Sequence, residues 1–188
     1  MNSSESNVMN KTFFSVVVTD THEDREYWAT RSWVSSATQS GIRSAGVVFL
    51  PSRTTGRENI PLFPHGSPDI IREVSLELKE VTFEIGIDRD KYSEVVLHAD
   101  HLRWPTMLVS HVFLPILIGV LANHVDRYLT VQANDRVLEY ELIVEGTHGH
   151  CISIKYKGPP SQLPETLVKQ AEACLPLVET EPRPAISD

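Results

Sequence analysis

The hydrophobic pattern is densest over residues 107–122, where twelve of sixteen side chains are apolar. From Leu114 onward the apolar residues recur at helical spacing, and polar residues occupy the opposite side. This pattern predicts a central apolar helix over about 105–130 that supplies the core. Because Pro115 removes a backbone donor, the helix either begins near Pro115 or is kinked there, and we favour one kinked helix that begins near Trp104.

A membrane-spanning helix is the alternative for the same segment. A span needs about 20 consecutive apolar residues, and the stretch Met107–Ala122 is shorter and is interrupted by Ser110 and Pro115. The pattern therefore favours a buried helix of a globular protein. Membrane attachment through Met107–Ala122 remains as an alternative.

The first third of the chain alternates between strand and helix patterns. Residues 12–19 are rich in β-branched and aromatic side chains and predict a strand, internal because three valines are consecutive. An acidic segment, Asp20–Asp24, then caps a predicted helix that extends to about Gln39 and stops at Gly41. Residues 45–50 predict a second strand, and this order is typical of a right-handed βαβ unit.

Alternation with a period of two predicts further strands in the middle of the chain. Residues 70–87 alternate strictly apart from one slip at Glu80, which predicts two strands separated by a β-bulge or bend. Residues 93–99 predict another short strand.

The clearest motif is an antiparallel hairpin formed by residues 137–144 and 151–156, which a Gly-containing loop joins. One face of the hairpin is apolar and the other polar. The polar face places two acidic side chains opposite two basic ones: Glu139, Glu141, Lys155 and Lys157.

Together these patterns predict the α+β class. We expect a mixed sheet of five to seven strands with a βαβ start, covered by the central apolar helix (about 105–130) and by a closing helix (about 164–175). The length fits a single globular domain over residues 12–176, between a disordered lead-in (1–11) and a disordered tail (177–188).

The charge distribution argues against general nucleic-acid binding. The net charge is −8, and residues 67–188 hold the whole excess, with eleven basic against nineteen acidic side chains. The only cysteines, Cys151 and Cys174, form neither a disulfide framework nor a metal-binding spacing, although they could pair with each other. The first eleven residues lack the features of a secretory signal, so we expect a cytoplasmic protein.

The first candidate site combines an acidic segment with a basic loop. If the first two strands are parallel neighbours, their carboxyl ends meet where open α/β sheets bind ligands. The acidic group can hold a metal or act as a base, and the loop can hold a phosphate. The residues are Asp20, His22, Glu23 and Asp24 in the first group, and Arg53, Thr54, Thr55, Gly56 and Arg57 in the second.

The second candidate site is a metal site formed by His98, Asp100 and His101, since imidazole and carboxylate suit zinc or iron. No second motif of fixed spacing accompanies these residues, so we expect no cofactor, with a divalent metal as the one possibility. Neither His150 beside Cys151 nor His111 beside Ser110 makes a catalytic motif, because catalytic partners meet in space rather than in adjacent sequence.

The sequence therefore favours a small intracellular non-catalytic subunit or adaptor that binds another protein, possibly itself. Three features suit docking: edge strands in the hairpin, a Pro-rich connection that contains Phe63, and the acidic second part. The first alternative is a phosphate- or metal-handling enzyme of the hydrolase type that uses the Asp20–Asp24 segment with Arg53 and Arg57. The second is membrane attachment.

Overall fold

The computed structural model describes residues 14–52, 61–96, 101–125, 136–146 and 150–179. In these ranges a seven-stranded mixed sheet, a separate two-stranded sheet and five α-helices confirm the predicted α+β class. The predicted lead-in, 1–11, lies outside the described residues.

The strands are β1 (Ser15–Thr21), β2 (Val47–Leu50), β3 (Phe63–Pro64), β4 (Phe83–Ile85), β5 (Glu94–Val95), β6 (His101–Arg103), β7 (Thr106–Ser110), β8 (Val137–Glu145) and β9 (Cys151–Gly158). The helices are α1 (Arg25–Ala29), α2 (Ser36–Ser44), α3 (Ser67–Glu77), α4 (Leu114–His124) and α5 (Leu163–Glu179).

The large sheet has the strand order β1-β9-β8-β7-β2-β4, and β6 pairs with the first part of β8. Strands β1 and β8 are both antiparallel to β9, and β7 is parallel to β8. Strands β1, β7 and β8 therefore run in the same direction, and their carboxyl ends lie at one end of the sheet. Strand β2 runs the opposite way, because it is antiparallel to β7.

Helices cover both faces of the sheet centre, because its strands are apolar on both sides. One set of strand side chains packs in the cluster that includes α3, α4 and α5: Val47, Phe49, Met107, Val109, Leu142 and Val144. The alternate set packs in the cluster that includes α1 and α2: Val48, Leu50, Leu108, Ile143 and Cys151. Toward β1 this second face becomes polar, and it carries the charged side chains of the hairpin.

The strand–helix–strand order at the start of the chain is confirmed, but β1 and β2 are not parallel neighbours. Strand β1 pairs with β9 at an edge of the sheet, and three strands separate it from β2. The prediction that the first strand is internal is also wrong, since Val17 and Val18 are 47% and 40% exposed.

The helix predicted after Asp20 is instead two helices. Asp24 caps α1 by accepting a hydrogen bond from the backbone N–H of Tyr27 at 2.7 Å, and α1 ends at Ala29. Gly41, predicted as the stop, lies inside α2. Trp28 of α1 and Ile42 of α2 lie in the same buried cluster. A single continuous helix would hold these two side chains too far apart to share it.

The central segment divides into a strand and a helix rather than one kinked helix. Strand β7 occupies Thr106–Ser110, a short 3-10 turn follows, and α4 begins at Leu114 with Pro115 in its first turn. The alternative that the helix begins near Pro115 is the correct one, and residues 126–130 of the predicted helix lie outside the described residues. Within the described ranges, none of the helices has the length and apolar character needed to cross a bilayer.

The strand predicted from residue 70 onward is wrong over its first half, which forms α3. Ile70, Ile71, Val74 and Leu78 fit a helical period and are buried, whereas Leu76, which shares the strand phase, is 67% exposed. A left-handed Gly66, with φ of 85°, precedes the helix, and Pro68 lies in its first turn. These start signals outweigh the chance alternation of polar residues.

The hairpin is confirmed as β8 and β9, with Glu139 opposite Lys157 and Glu141 opposite Lys155. The closing helix is also confirmed, as α5, and it extends to Glu179. The hairpin is not an edge, because β1 flanks β9 while β6 and β7 flank β8.

Candidate functional site

The sheet end formed by the carboxyl ends of β1, β7 and β8 contains a nearly buried ion pair. Arg25 pairs through Nε with Glu145 Oε2, and the two side chains are only 13% and 16% exposed. The Arg25 guanidinium also donates to the carbonyl oxygens of Ala45, of Ile42 at 3.0 Å and of Gly46 at 3.4 Å. These contacts join α1 to the end of α2 and to β8, so the pair is structural.

Sequence reasoning missed this pair, because its members are 120 residues apart. The aspartates of the predicted acidic segment beside it do not converge on one point. Asp24 caps α1, whereas Asp20 is largely exposed and its Oδ1 lies 3.6 Å from His150 Nε2. The basic loop predicted to face them, Arg53–Arg57, lies outside the described residues, so the enzyme hypothesis stays a prediction. Its structural premise is wrong, because β1 and β2 are antiparallel and separated.

The same sheet end does not prepare Cys151 for nucleophilic attack. The thiol is buried, and burial is the main reason why its pKa rises to about 12. A thiol with that pKa is protonated near neutral pH, whereas the nucleophile is the thiolate. His111 donates through Nδ1 to the backbone oxygen of Glu145 at 3.3 Å and so fixes the turn after β7. The side chain of Cys174 is outside the described part of the chain.

The predicted metal site is only partly described, since His98 and Asp100 lie outside the described residues. His101 instead places Nδ1 at 3.0 Å from Glu139 Oε1. Among the residues that the structure describes, no group of three or more His, Cys, Asp or Glu side chains is arranged to hold a metal ion.

Glu139 is the centre of a charged cluster on the polar face of the sheet. Its Oε1 lies 2.6 Å from Lys157 Nζ, and its Oε2 lies 2.6 Å from Arg103 Nε. The Arg103 contact lacks the alignment of a hydrogen bond, so it is an ion pair. Partial burial opposes ionisation of Glu139, but Lys157, Arg103 and His101 together hold its pKa below the ordinary value.

Within the described ranges three strands of the large sheet pair on one side only: β1, β4 and the three-residue β6. Of these, β4 is partly protected. It has only three residues. Thr82 and Gly86 direct backbone groups toward β2, so by alternation Phe83 and Ile85 direct theirs outward, and those of Ile85 are occupied. The Ile85 N–H donates to Glu84 Oε1 at 2.8 Å, and the Ile85 carbonyl accepts from Ile87 N at 2.7 Å. A partner strand therefore finds only the groups of Phe83 available on this short edge.

The β1 edge lacks this protection. It is seven residues long, and all seven pair with β9, with no strand of the described chain on the other side. Because alternate residues of an antiparallel strand direct their N–H and C=O groups to opposite sides, every second residue of β1 offers both groups outward. The strand contains no proline and no lysine, and Val17 and Val18 are substantially exposed.

A groove of about 380 Å³ runs beside this edge, between β1 and α5. Phe14 and Val16 form its apolar wall. A stripe of α5 forms the other wall, with Glu165 and Lys169 as its charged members. A strand added to β1 would lay alternate side chains into this groove, which is how strand addition combines affinity with specificity. Phe63, by contrast, is buried and stacks on Tyr92, so it offers no docking surface.

Comparison with known proteins gives no further guide to function, because no family model, no curated protein and no solved structure matches this chain.

Proposed function

We propose that this chain is a small non-catalytic cytoplasmic subunit that binds protein by extending its sheet at β1, and that the strand it accepts is β1 of a second copy. The observation that carries the proposal is the contrast between β1 and the short edge strand β4. Strand β4 has three residues and uses the outward groups of Ile85 internally, whereas the seven residues of β1 have no partner on their outer side among the described parts of the chain. Such an edge pairs readily with another chain.

The geometry of the β1 edge suits a twofold-symmetric partner. In an antiparallel pair centred on Val18, the two Val18 side chains lie side by side, and Val17 faces Thr19 of the other copy. At the centre of this pairing no two side chains of the same charge lie opposite each other, since the only charged residue of β1 is Asp20 near its end. The contact is thus apolar where the overall charge of −8 would otherwise oppose association.

The stripe on α5 carries charges of both signs. Glu165 and Lys169 lie one helical turn apart on the wall that faces the β1 edge. In the pair centred on Val18, Val16 of each copy lies opposite Asp20 of the other, so Asp20 comes to the groove that Lys169 lines.

The oligomeric state tests the proposal. Sedimentation velocity should show the wild-type chain as a dimer, and Val18→Lys should weaken dimerisation at least tenfold, because it places two ammonium groups opposite each other. Val112→Lys is the matched control. Val112 is also an exposed valine, but it lies in the turn before α4, so this variant should dimerise like the wild type.

A charge exchange tests the symmetry. Val18→Asp alone should also be monomeric, but an equimolar mixture of the Lys and Asp variants should form a heterodimer. A wild-type chain that sediments as a monomer at every concentration would contradict the proposal. If the mixture stays monomeric while the wild type dimerises, pairing centred on Val18 is wrong.

A further inference from the structure

A cavity of about 900 Å³ lies along the outer side of β4, between α3 and the first turn of α2. Small-molecule sites usually measure about 300–1,000 Å³, so this cavity can take a large organic ligand. It lies at the opposite end of the sheet from β1, so it does not depend on the proposed dimer.

The interior of this cavity is apolar. Phe83 and Ile85 lie on the face of the sheet that α3 covers, because they pair with Val47 and Phe49, whose side chains belong to the cluster on that face. The other apolar members of the lining come from α3 and from the turn after β4: Ile71, Leu76, Ile87 and Tyr92. This lining is suited to the apolar body of a ligand.

Two large apolar side chains of the lining are exposed to solvent. Leu76 is 67% exposed and Phe83 is 45% exposed. Single exposed apolar side chains are ordinary, but these two line the same cavity. A ligand that fills the cavity would cover both, and the removal of their surface from water would stabilise the bound state.

The charged part of the lining is positive, although it lies in the acidic part of the chain. Arg72 and Arg89 exceed the one carboxylate of the lining, Glu84, by one charge. Residues 67–188 as a whole carry eleven basic against nineteen acidic side chains. The cavity therefore reverses the sign of the charge that surrounds it.

Both arginines are able to receive an anion. Among the residues that the structure describes, the Arg89 guanidinium has no hydrogen bond or ion pair. Arg72 makes only long, exposed ion contacts, at 3.5 Å to Asp69 and at 3.8 Å to Glu73, and such contacts contribute little. Because the guanidinium group offers a planar fork of donors, each arginine can bind a carboxylate through two hydrogen bonds.

We propose that this cavity binds an amphiphilic monocarboxylate, whose large apolar body fills the lining and whose carboxylate pairs with Arg89 and Arg72. The surplus of one positive charge matches a carboxylate, whereas a phosphate monoester carries about −1.5 to −2. An extended peptide fits this place less well. Strand addition needs a row of backbone partners, and β4 offers only those of Phe83.

Calorimetric titration of the full chain with sodium dodecanoate, at mildly alkaline pH and below the micelle-forming concentration, tests the assignment. Dodecanoate should bind saturably at one molecule per chain and at least tenfold more tightly than octanoate, because the longer chain buries four more methylene groups. It should also bind at least tenfold more tightly than dodecyltrimethylammonium, which has the same chain and the opposite charge. Non-specific attraction to a protein of net charge −8 would give the reverse order.

Two variants test the residues. Arg89→Gln should weaken dodecanoate binding at least tenfold and leave the melting temperature of the free protein unchanged, because Arg89 is exposed and loses no partner among the described residues. Leu76→Asp should weaken binding at least as much, since it removes an apolar contact and repels the anion. The matched controls, Arg43→Gln and Val112→Asp, change exposed side chains outside the cavity and should bind like the wild type.

Three results would overturn the proposal. The first is no saturation by about 1 mM dodecanoate, since that limit corresponds to weak binding. The second is equal or tighter binding of the cationic amphiphile, which removes the anion requirement. The third is wild-type affinity in Arg89→Gln or in Leu76→Asp. Tighter binding of dodecyl phosphate than of dodecanoate would overturn the carboxylate assignment.

Discussion

Leu121→Asp is expected to unfold the protein. Leu121 is fully buried in α4, within the cluster that joins α3, α4 and α5 to the sheet. A carboxylate there has no partner to compensate its lost hydration, and such a substitution costs several kcal/mol, a large part of the stability of a small domain. Far-UV circular dichroism and urea titration should show loss of the cooperative transition.

Ile116→Asp is the matched control, since it changes the same kind of side chain on the same helix. Ile116 is about half exposed and lies in the first turn of α4, where a negative charge interacts favourably with the helix dipole. This variant should unfold near the wild-type midpoint. A cooperative, near-wild-type transition in Leu121→Asp would mean that α4 is not the core helix.

Arg25→Met is expected to have the second largest effect on stability. The substitution leaves Glu145 buried without its partner and removes the donor to the carbonyl oxygens of Ile42, Ala45 and Gly46. Removing one member of a buried pair costs about 3–5 kcal/mol, and the midpoint of urea unfolding should fall accordingly.

Arg43→Met provides the comparison, because Arg43 also pairs with a glutamate through two hydrogen bonds, but at the surface. Its partner Glu26 is 61% exposed, so water replaces the lost contact and the urea midpoint should barely change. The double variant Arg25→Met/Glu145→Met should recover part of the stability lost in Arg25→Met, because it leaves no buried charge. Equal destabilisation by Arg25→Met and Arg43→Met would show that the Arg25 pair is not buried.

Local patterns were sufficient for the elements whose signals are unambiguous. The hairpin of β8 and β9 combines strict alternation with a Gly-containing loop, and α5 combines helical spacing with Pro164 in its first turn. Both were predicted correctly. Short apolar segments were harder, because β7 is buried on both faces and its unbroken apolar pattern also fits a helix.

Pairing between distant segments could not be predicted from local patterns. Three consecutive valines indicated an internal strand, yet β1 lies at an edge because the hairpin, more than 110 residues later, joins it on one side only. The pairing of Arg25 with Glu145 was not predicted for the same reason, because the two residues are far apart in the sequence. The three consecutive valines belong to an edge strand and two of them are exposed, although their pattern predicted an interior strand.

Residue-resolved amide exchange of β1 tests the central claim most directly, because it observes the backbone groups that the proposed pairing uses. Amides of β1 that bond to β9 should be protected at all concentrations. The alternate, outward amides should exchange fast in dilute samples and become protected as the concentration rises over about three decades, as mass action requires. In Val18→Lys they should stay fast throughout. If the outward amides of the wild type exchange at one fast rate across the whole range, β1 is not a docking edge.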